Sequence, residues 1–325
     1  MPVRGLSQIQ IGTETTWGTP VTPTAVLMGV QKAFALQHDN KSTVYDDVRN
    51  NLAPGPLAGL EQIGGKGNYD LLTTYEDICY IFDSAFGQAA PTGTGPYTRN
   101  YSGATSALPS PRILTVVDGN SQTGGGVYTL RGGLVDTIKI VGATGKPTMV
   151  SGNLIGQAVD TSQSLQALSA RTVQVVMPVW TLYIDTWAGT IGTTTIATTA
   201  VGFTLDINLN RVVERSLDSL TPDLWEQNDS SGKLALTLRM NANTKTQLDA
   251  LVGQTDVVQK QVRLKATSGT NILQLDFAGT ITNQPKVYDD QNGILTTSLE
   301  LEGTYNSDLS NWFKAQVVNS VAVLA

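Results

Sequence analysis

The chain has 325 residues, of which 40% are hydrophobic and only 15% are charged, and its formal net charge at pH 7 is −6. An acidic chain without clusters of Lys and Arg is not expected to bind nucleic acid, because stable binding requires cations that neutralise phosphates. One cysteine and one histidine exclude an internal disulfide and the usual metal-ligand sets, so no metal and no cofactor is expected. No apolar run approaches the ~18 residues that a membrane span needs.

Residues 1–30 are rich in Gly, Thr and Pro and hold few residues that can pack against one another. We interpret them as an extended N-terminal arm, because such a segment is ordered most readily by docking on a neighbouring molecule. Nothing behind the N-terminal methionine resembles the apolar stretch of a secretion signal. The candidate contacts of this arm to a neighbouring subunit are Ile11, Trp17, Pro20 and Val21.

Residues 31–157 are predicted to form a first β-rich module. Alternating apolar residues predict an opening strand at Phe34 and Leu36, and turn residues predict a long loop at 46–62. The later strands of this module are predicted at 69–71, 113–117, 127–130, 134–141 and 149–155, with a hairpin turn at 142–145 before the last of them.

Residues 158–200 are interpreted as a linker between modules, with two strand-like stretches at 173–179 and 180–184. A second module is predicted at 201–305. Its strands are predicted at 203–209, 234–238, 262–266, 272–277, 280–287 and 295–301. Residues 306–325 form a C-terminal segment that is expected to be a short helix or a docking strand.

Each module carries one predicted helix. In the first module Thr73 and Glu76 have the spacing of a capping box. The apolar residues between positions 75 and 86 then lie on one helical face, and Gly87 ends the helix. In the second module Asn243 is the predicted N-cap. The apolar stripe of this second helix is formed by Leu248, Leu251 and Val252.

The two halves of the chain resemble each other in sequence, which indicates an internal duplication. The matched segments occur in the same order in both halves and are Leu60-Glu61-Gln62 with Trp225-Glu226-Gln227, Gly65 with Gly232, Gly87-Gln88 with Gly253-Gln254, and Gly133 and Gly156 with Gly279 and Gly303. The number of residues between a segment and its match in the other half falls in one step after Gln88. The first half therefore has an extra loop at 90–111. The predicted fold class is therefore mainly β, with two tandem β-sandwich or half-barrel modules, each with one flanking α-helix, and an extended N-terminal arm.

Three blocks of the sequence resemble the tail tube proteins, or major tail proteins, of long-tailed bacteriophages, in their duplicated-domain type. These blocks are residues 9–21, 132–140 and 203–208. The resemblance implies a tube fold, in which a β-sandwich is flanked by a helix and a long loop. It also implies that three copies of a duplicated chain form a pseudo-six-fold ring, that rings stack into a conduit for the genome, and that the protein is not an enzyme.

The same resemblance implies partners and a location. The first partner is the chain itself, in rings and in the stacked tube. The tape measure protein, the tail terminator and the distal tail proteins are further expected partners, while DNA passes through without specific binding. The protein is expected to assemble in the host cytoplasm and to function in the tail of the virion. Further candidate contacts between subunits are Asn51, Pro54, Pro56, Leu57, Pro222, Leu224, Trp225 and Trp312.

Two other interpretations stay open from the sequence. One is a surface or adhesion protein of two β-sandwich modules, and the other is the inner tube of a contractile injection device. Several fragments of the sequence suggest an enzymatic or metal site, but each is better interpreted as an ordinary structural feature. Residues 142–148 do not match the Walker A motif, because Pro147 follows the lysine where that motif requires Ser or Thr. They are better interpreted as a hairpin turn. His38 is interpreted as a solvated strand residue, Cys79 as a core thiol, and residues 289–293 as a polar turn.

Overall fold

The computed structural model describes residues 4–31, 34–45, 57–122, 125–197, 199–252, 256–283, 289–291 and 293–324. Within these residues the protein is mainly β with two α-helices, which confirms the prediction of a mainly β fold. An 18-stranded antiparallel sheet contains most strands, and two separate hairpins form sheets of their own. No helix in the described part of the chain is long and apolar enough to cross a membrane.

The elements of the first half begin with a short 3₁₀ helix at Arg4–Leu6. The strands of the first half are β1 (Ser7–Glu14), β2 (Ala25–Val26), β3 (Gln37–His38), β4 (Lys41–Tyr45), β5 (Leu57–Gln62), β6 (Gly65–Leu72), β7 (Tyr97–Ser102), β8 (Ile113–Asn120), β9 (Val127–Val135), β10 (Thr137–Ala143), β11 (Lys146–Gly156) and β12 (Ala158–Asp160). Helix α1 (Ile78–Phe86) lies between β6 and β7.

The second half follows the same plan. Its strands are β13 (Trp180–Thr186), β14 (Ala200–Asn208), β15 (Arg211–Glu214), β16 (Leu224–Gln227), β17 (Ser231–Arg239), β18 (Gln259–Ser268), β19 (Asn271–Ile281), β20 (Asp289–Gln291), β21 (Ile294–Gly303) and β22 (Phe313–Asn319). Helix α2 (Ala242–Asp249) lies between β17 and β18. The C-terminal segment therefore contains a strand, β22, which is one of the two predicted forms.

The strand pairing of the first half recurs in the second half. The recurring pairs are β1–β8 and β13–β18, β3–β6 and β14–β17, β4–β5 and β15–β16, β6–β11 and β17–β21, β8–β9 and β18–β19, β9–β11 and β19–β21, and β10–β11 and β20–β21. All of these pairs are antiparallel. The internal similarity of the sequence thus corresponds to the same element order and the same neighbours in both halves.

Matched glycines also occupy matched registers. Gly65 lies opposite Gly156, and a Cβ atom on Gly303 would lie 3.3 Å from the carbonyl oxygen of Gly232. Both pairs require glycine, because a neighbouring segment lies so close that no side chain fits. A Cβ atom on Gly65 would lie 2.6 Å from the backbone of Ala158. In the second half the glycines make room for an indole ring in the same way.

The N-terminal segment is extended, as predicted, but it packs on its own chain. All eight residues of β1 pair with β8, and β2 pairs with β1 from the other side. The segment thus has pairing partners within its own chain, in addition to the neighbouring molecule on which docking was expected. In the second half, β13 occupies the equivalent position beside β18. A sequence signal for this equivalence exists in Glu14-Thr15-Thr16-Trp17-Gly18-Thr19 and Asp185-Thr186-Trp187-Ala188-Gly189-Thr190.

Several predicted strands differ from the observed ones. The opening strand at Phe34 and Leu36 is replaced by the two-residue β3, because Ala35 has a positive φ of 45° and interrupts the extended backbone. The break predicted after residue 130 lies at Asp136 instead, and β19 is continuous where a break was predicted after residue 277. Residues 173–179 contain only an isolated bridge, from Val175 to Thr74.

Helix α1 is buried on all sides, although its sequence predicts one apolar face. All nine of its residues are buried. The predicted capping box is wrong, because the backbone N–H of Asp77 donates to the hydroxyl of Thr74. Glu76 instead accepts a bond from the backbone N–H of Gln174. Gly87, with a φ of 97°, follows the helix and confirms its predicted end.

The thiol of Cys79 is fully buried within α1, which confirms its interpretation as a core residue. Burial raises the pKa of Cys79 to about 12. Because the thiolate is the reactive form, we expect no reaction with a water-soluble disulfide reagent at pH 8 while the protein is folded, and one equivalent after unfolding in urea. Measurable labelling of the folded chain would contradict this buried position.

Helix α2 is exposed by comparison, and its N-cap is Asn241 rather than the predicted Asn243. The side chain of Asn241 accepts a bond from the backbone N–H of Thr244. We expect Asn241→Ala to lower the free energy of unfolding by about 1 kcal/mol, because the cap bond is lost. The matched control is Asn243→Ala, which lies inside the helix and should change stability by a few tenths of a kcal/mol at most. Equal losses in urea unfolding of the two variants would contradict this assignment.

Candidate assembly surfaces

One continuous sheet joins the two halves of the chain. Its strands follow the order β3, β6, β11, β10, β14, β17, β21 and β20. The joint is the pairing of β10 with β14, which runs from Thr137 opposite Asn208 to Ala143 opposite Gly202. One face of this sheet packs on the core through residues such as Ile140 and Leu205. We call the other side the polar sheet face.

The polar sheet face carries charged and amide side chains across β6, β11, β10, β14, β17 and β21. A depression of about 940 Å³ lies on it. One row across the strands places Asp70, Ser151, Lys139, Asp206, Lys233 and Glu302 opposite one another in turn. The next row carries Asn68, Asn153, Thr137, Asn208 and Ser231. This face thus presents hydroxyls, amides and alternating charges rather than an apolar surface.

Lysines on the polar sheet face pair with carboxylates. The Nζ atom of Lys139 lies 3.5 Å from Asp206, and that of Lys233 lies 2.5 Å from Glu300. Lys66, at the end of the face, lies 3.1 Å from Asp39. Exposed ion pairs of this kind add little to stability. Their effect is to cancel positive charge, so the described residues of this face offer phosphate groups no cluster of unpaired cations.

The joined sheet ends in two strands that each have one partner in the described part of the chain. At one end β3 pairs only with β6, and at the other β20 pairs only with β21. Their equivalents, β14 and β10, pair with each other inside the chain. Unpaired sheet edges are sites where another chain can add a strand.

Two equivalent hairpins, β4–β5 and β15–β16, form a second exposed surface, which we call the paired hairpins. They contact each other: the backbone N–H of Ile63 donates to the carbonyl of Leu220 over 2.8 Å, and the guanidinium of Arg215 donates to the carbonyl of Ile63 over 2.9 Å. The exposed large apolar residues of the paired hairpins are Val44, Tyr45, Leu57, Leu60, Val212, Leu217, Leu220 and Leu224. Exposed large apolar side chains on a surface are typical of a protein–protein contact.

The candidate contact residues from the sequence fall into different environments. Leu57 and Leu224 lie on the paired hairpins and are 53% and 48% exposed. Those that are half-buried are Trp17, Pro20, Val21 and Trp225. Those that are buried within this chain are Ile11, Pro222 and Trp312, so they are not presented to a second molecule here. Those that lie outside the described residues are Asn51, Pro54 and Pro56.

Arg211 joins the second hairpin to the first half of the chain, a role that was not predicted from the sequence. Its buried guanidinium donates to the carbonyls of Ser84 and Ala85, at the end of α1, and to that of Val135, over 2.7 to 2.8 Å. Burial lowers the pKa of Arg211 to about 10, although Asp136 opposes this shift. The helix C-terminus favours a cation at this position.

The guanidinium of Arg211 also lies 5.5 Å from the ring centroid of Trp225. Trp225 belongs to β16 and is half-buried. The contact therefore covers the Arg211 guanidinium with an aromatic ring of the second hairpin.

Comparisons with known proteins do not add to this description. No protein-family model matches the chain, and no curated protein is significantly similar to it.

Proposed function

We propose that this chain is the tail tube subunit of a long-tailed bacteriophage, a structural protein without enzymatic activity. The observation that carries the proposal is the joined sheet, which has a polar face and an unpaired edge strand at each end. A sheet with two open ends can be closed by joining copies into a ring, and closure removes the edges. Three copies, each with two equivalent halves, give a pseudo-six-fold ring.

The polar sheet face suits the lumen of such a ring. Lys139 and Lys233 are paired with acids, and the neighbouring row holds only amides and hydroxyls. Phosphate groups that pass this wall find little positive charge to hold them, so DNA slides rather than binds. The tube is then a conduit for genome ejection in the virion.

The paired hairpins suit the contact between stacked rings. Their exposed apolar residues come from both halves, so a ring of three chains presents six such hairpins in three pairs. Stacking of a front surface on a different back surface is heterologous and builds an open filament. The tape measure protein, tail terminator and distal tail proteins are the remaining proposed partners, and assembly takes place in the host cytoplasm.

Sedimentation velocity of the purified chain over a concentration series tests this proposal. We expect a monomer at low concentration and a species of three chains, followed by much larger polymers, as concentration rises. The variant Leu57→Asp/Leu224→Asp, on the paired hairpins, should still form the three-chain species but not the polymers. A chain that stays monomeric at every concentration would contradict the proposal and favour the adhesion module.

A further inference from the structure

We infer that a second copy of this chain binds through a repeat of the joint that connects the two halves of one chain. This inference rests on the proposed function, since rings require contacts between copies. It goes further by assigning the residues and the strand register of that contact.

The internal joint consists of two contacts on the same side of the first half. The second half supplies β14, which pairs with β10 over seven residues. It also supplies Arg211, which binds the carbonyls at the end of α1. Both contacts come from the beginning of the second half, so they form together when the two halves meet.

The four parts of this joint are β10, β14, Arg211 and the end of α1. Each has an equivalent that makes no such contact within the described residues of one copy. The repeated pairing makes β20 equivalent to β10, and β3 equivalent to β14. Lys41 lies opposite Gln62 as Arg211 lies opposite Gln227, at the base of each hairpin. The first half of a second copy can therefore bring β3 and Lys41 to β20 and α2, from one direction and at the same time.

The burial of the two helices agrees with this arrangement. All nine residues of α1 are buried, whereas α2 has only Thr244 and Leu248 buried among its eight residues. Val252, just beyond α2, is 73% exposed, and Val257 is 65% exposed. Among the described residues, nothing covers the end of α2 as Arg211 and its hairpin cover α1.

The charges are also complementary. The side chain of Lys41 is 65% exposed and has Glu61 as its ion-pair partner in this chain. A helix C-terminus carries partial negative charge and favours a cation nearby. Lys41 at the end of α2 in a second copy would thus repeat the role of Arg211 at the end of α1.

The internal joint also fixes the register of the contact. Val141 lies opposite Thr204 across β10 and β14. Asp289 holds the place of Val141 in the equivalent hairpin, and Ala35 holds the place of Thr204 beside the equivalent central strand. The geometry therefore places Asp289 of one copy opposite Ala35 of the next.

A cysteine pair tests this register. In the double variant Ala35→Cys/Asp289→Cys, oxidation of the concentrated protein should give covalent multimers on a non-reducing gel, and Cys79 is buried and should not interfere. The geometric control is Val141→Cys/Thr204→Cys, which should close within one chain and stay monomeric on the gel. The register control is Gln37→Cys/Asp289→Cys, which should cross-link much less.

A charge variant provides the second measurement. Lys41→Glu should raise the concentration for half-assembly about tenfold, since it places an acid at a helix C-terminus. Lys265→Glu, on β18 and away from both joint surfaces, should assemble like the wild type. If the cysteine pair itself prevents assembly, the comparison of Lys41→Glu with Lys265→Glu decides whether the inference holds.

The outcomes separate this inference from the proposed function. If the wild type forms rings, but the cysteine pair gives no multimers and Lys41→Glu assembles normally, the inference is overturned and the proposed function stands. Preferred cross-linking of the register control overturns the inference as well. A wild type that never associates overturns both.

Discussion

Replacing Arg211 by alanine is expected to lower the free energy of unfolding by about 3 to 5 kcal/mol. The variant leaves the carbonyls of Ser84, Ala85 and Val135 buried without their donor. It also removes the cation beside Asp136, whose pKa burial already raises. Urea unfolding measured by circular dichroism gives the change, from the shift in midpoint and the slope.

Two further variants control this prediction. Arg239→Ala removes an exposed arginine of β17 and should change stability by no more than about 0.5 kcal/mol. Arg211→Lys keeps the charge but not the fork of donors, so it should fall between the wild type and the alanine variant. A loss below about 1 kcal/mol for Arg211→Ala would show that the two halves do not depend on this residue.

Replacing acidic residues of the polar sheet face by lysine is expected to make the chain bind DNA, which the wild type is expected not to retain. The triple variant replaces Asp206, Glu300 and Glu302 by lysine, which removes the partners of Lys139 and Lys233 and adds three cations. Counterion release then makes binding strong and salt-dependent, and we expect an affinity for duplex DNA at least about a hundredfold higher at low salt. Fluorescence anisotropy with a labelled duplex measures the DNA affinity of the wild type and of the triple variant.

The graded control is the neutral variant Asp206→Asn/Glu300→Gln/Glu302→Gln. It frees the two lysines without adding positive charge, so its affinity should lie between those of the wild type and the lysine variant. Tight binding of DNA by the wild type at about 0.1 M salt would contradict the assignment of this face to a DNA conduit.

Much of the architecture could be predicted from the sequence because glycines mark the repeat. These glycines are required where a neighbouring segment leaves no room for a side chain. Gly65 with Gly156, and Gly232 with Gly303, allow close approach of a neighbouring segment at the same point in each half. Alternation of apolar residues located β14 well, since it is paired on both sides. The same alternation failed for β3, which has one neighbour and is interrupted at Ala35.

The assembly surfaces were only partly predictable. Exposure of Leu57 and Leu224 follows from their places on hairpins. Ile11 was expected at an interface, but β1 pairs with β8 more than a hundred positions away in the sequence, and no local pattern indicates that contact. Arg211 was missed for the same reason, because its partners at Ser84 and Ala85 are brought to it only by the joint between the halves.

Electron cryomicroscopy of the assembled protein tests the central claim most directly. We expect rings of three chains in which β20 of each copy pairs with β3 of the next, and the polar sheet face lines a central channel. We also expect β3 to be longer there than in the single chain, as its equivalent β14 is. Rings with the polar sheet face turned outward, or with β3 and β20 unpaired, would show that the chains do not close a channel through these strands.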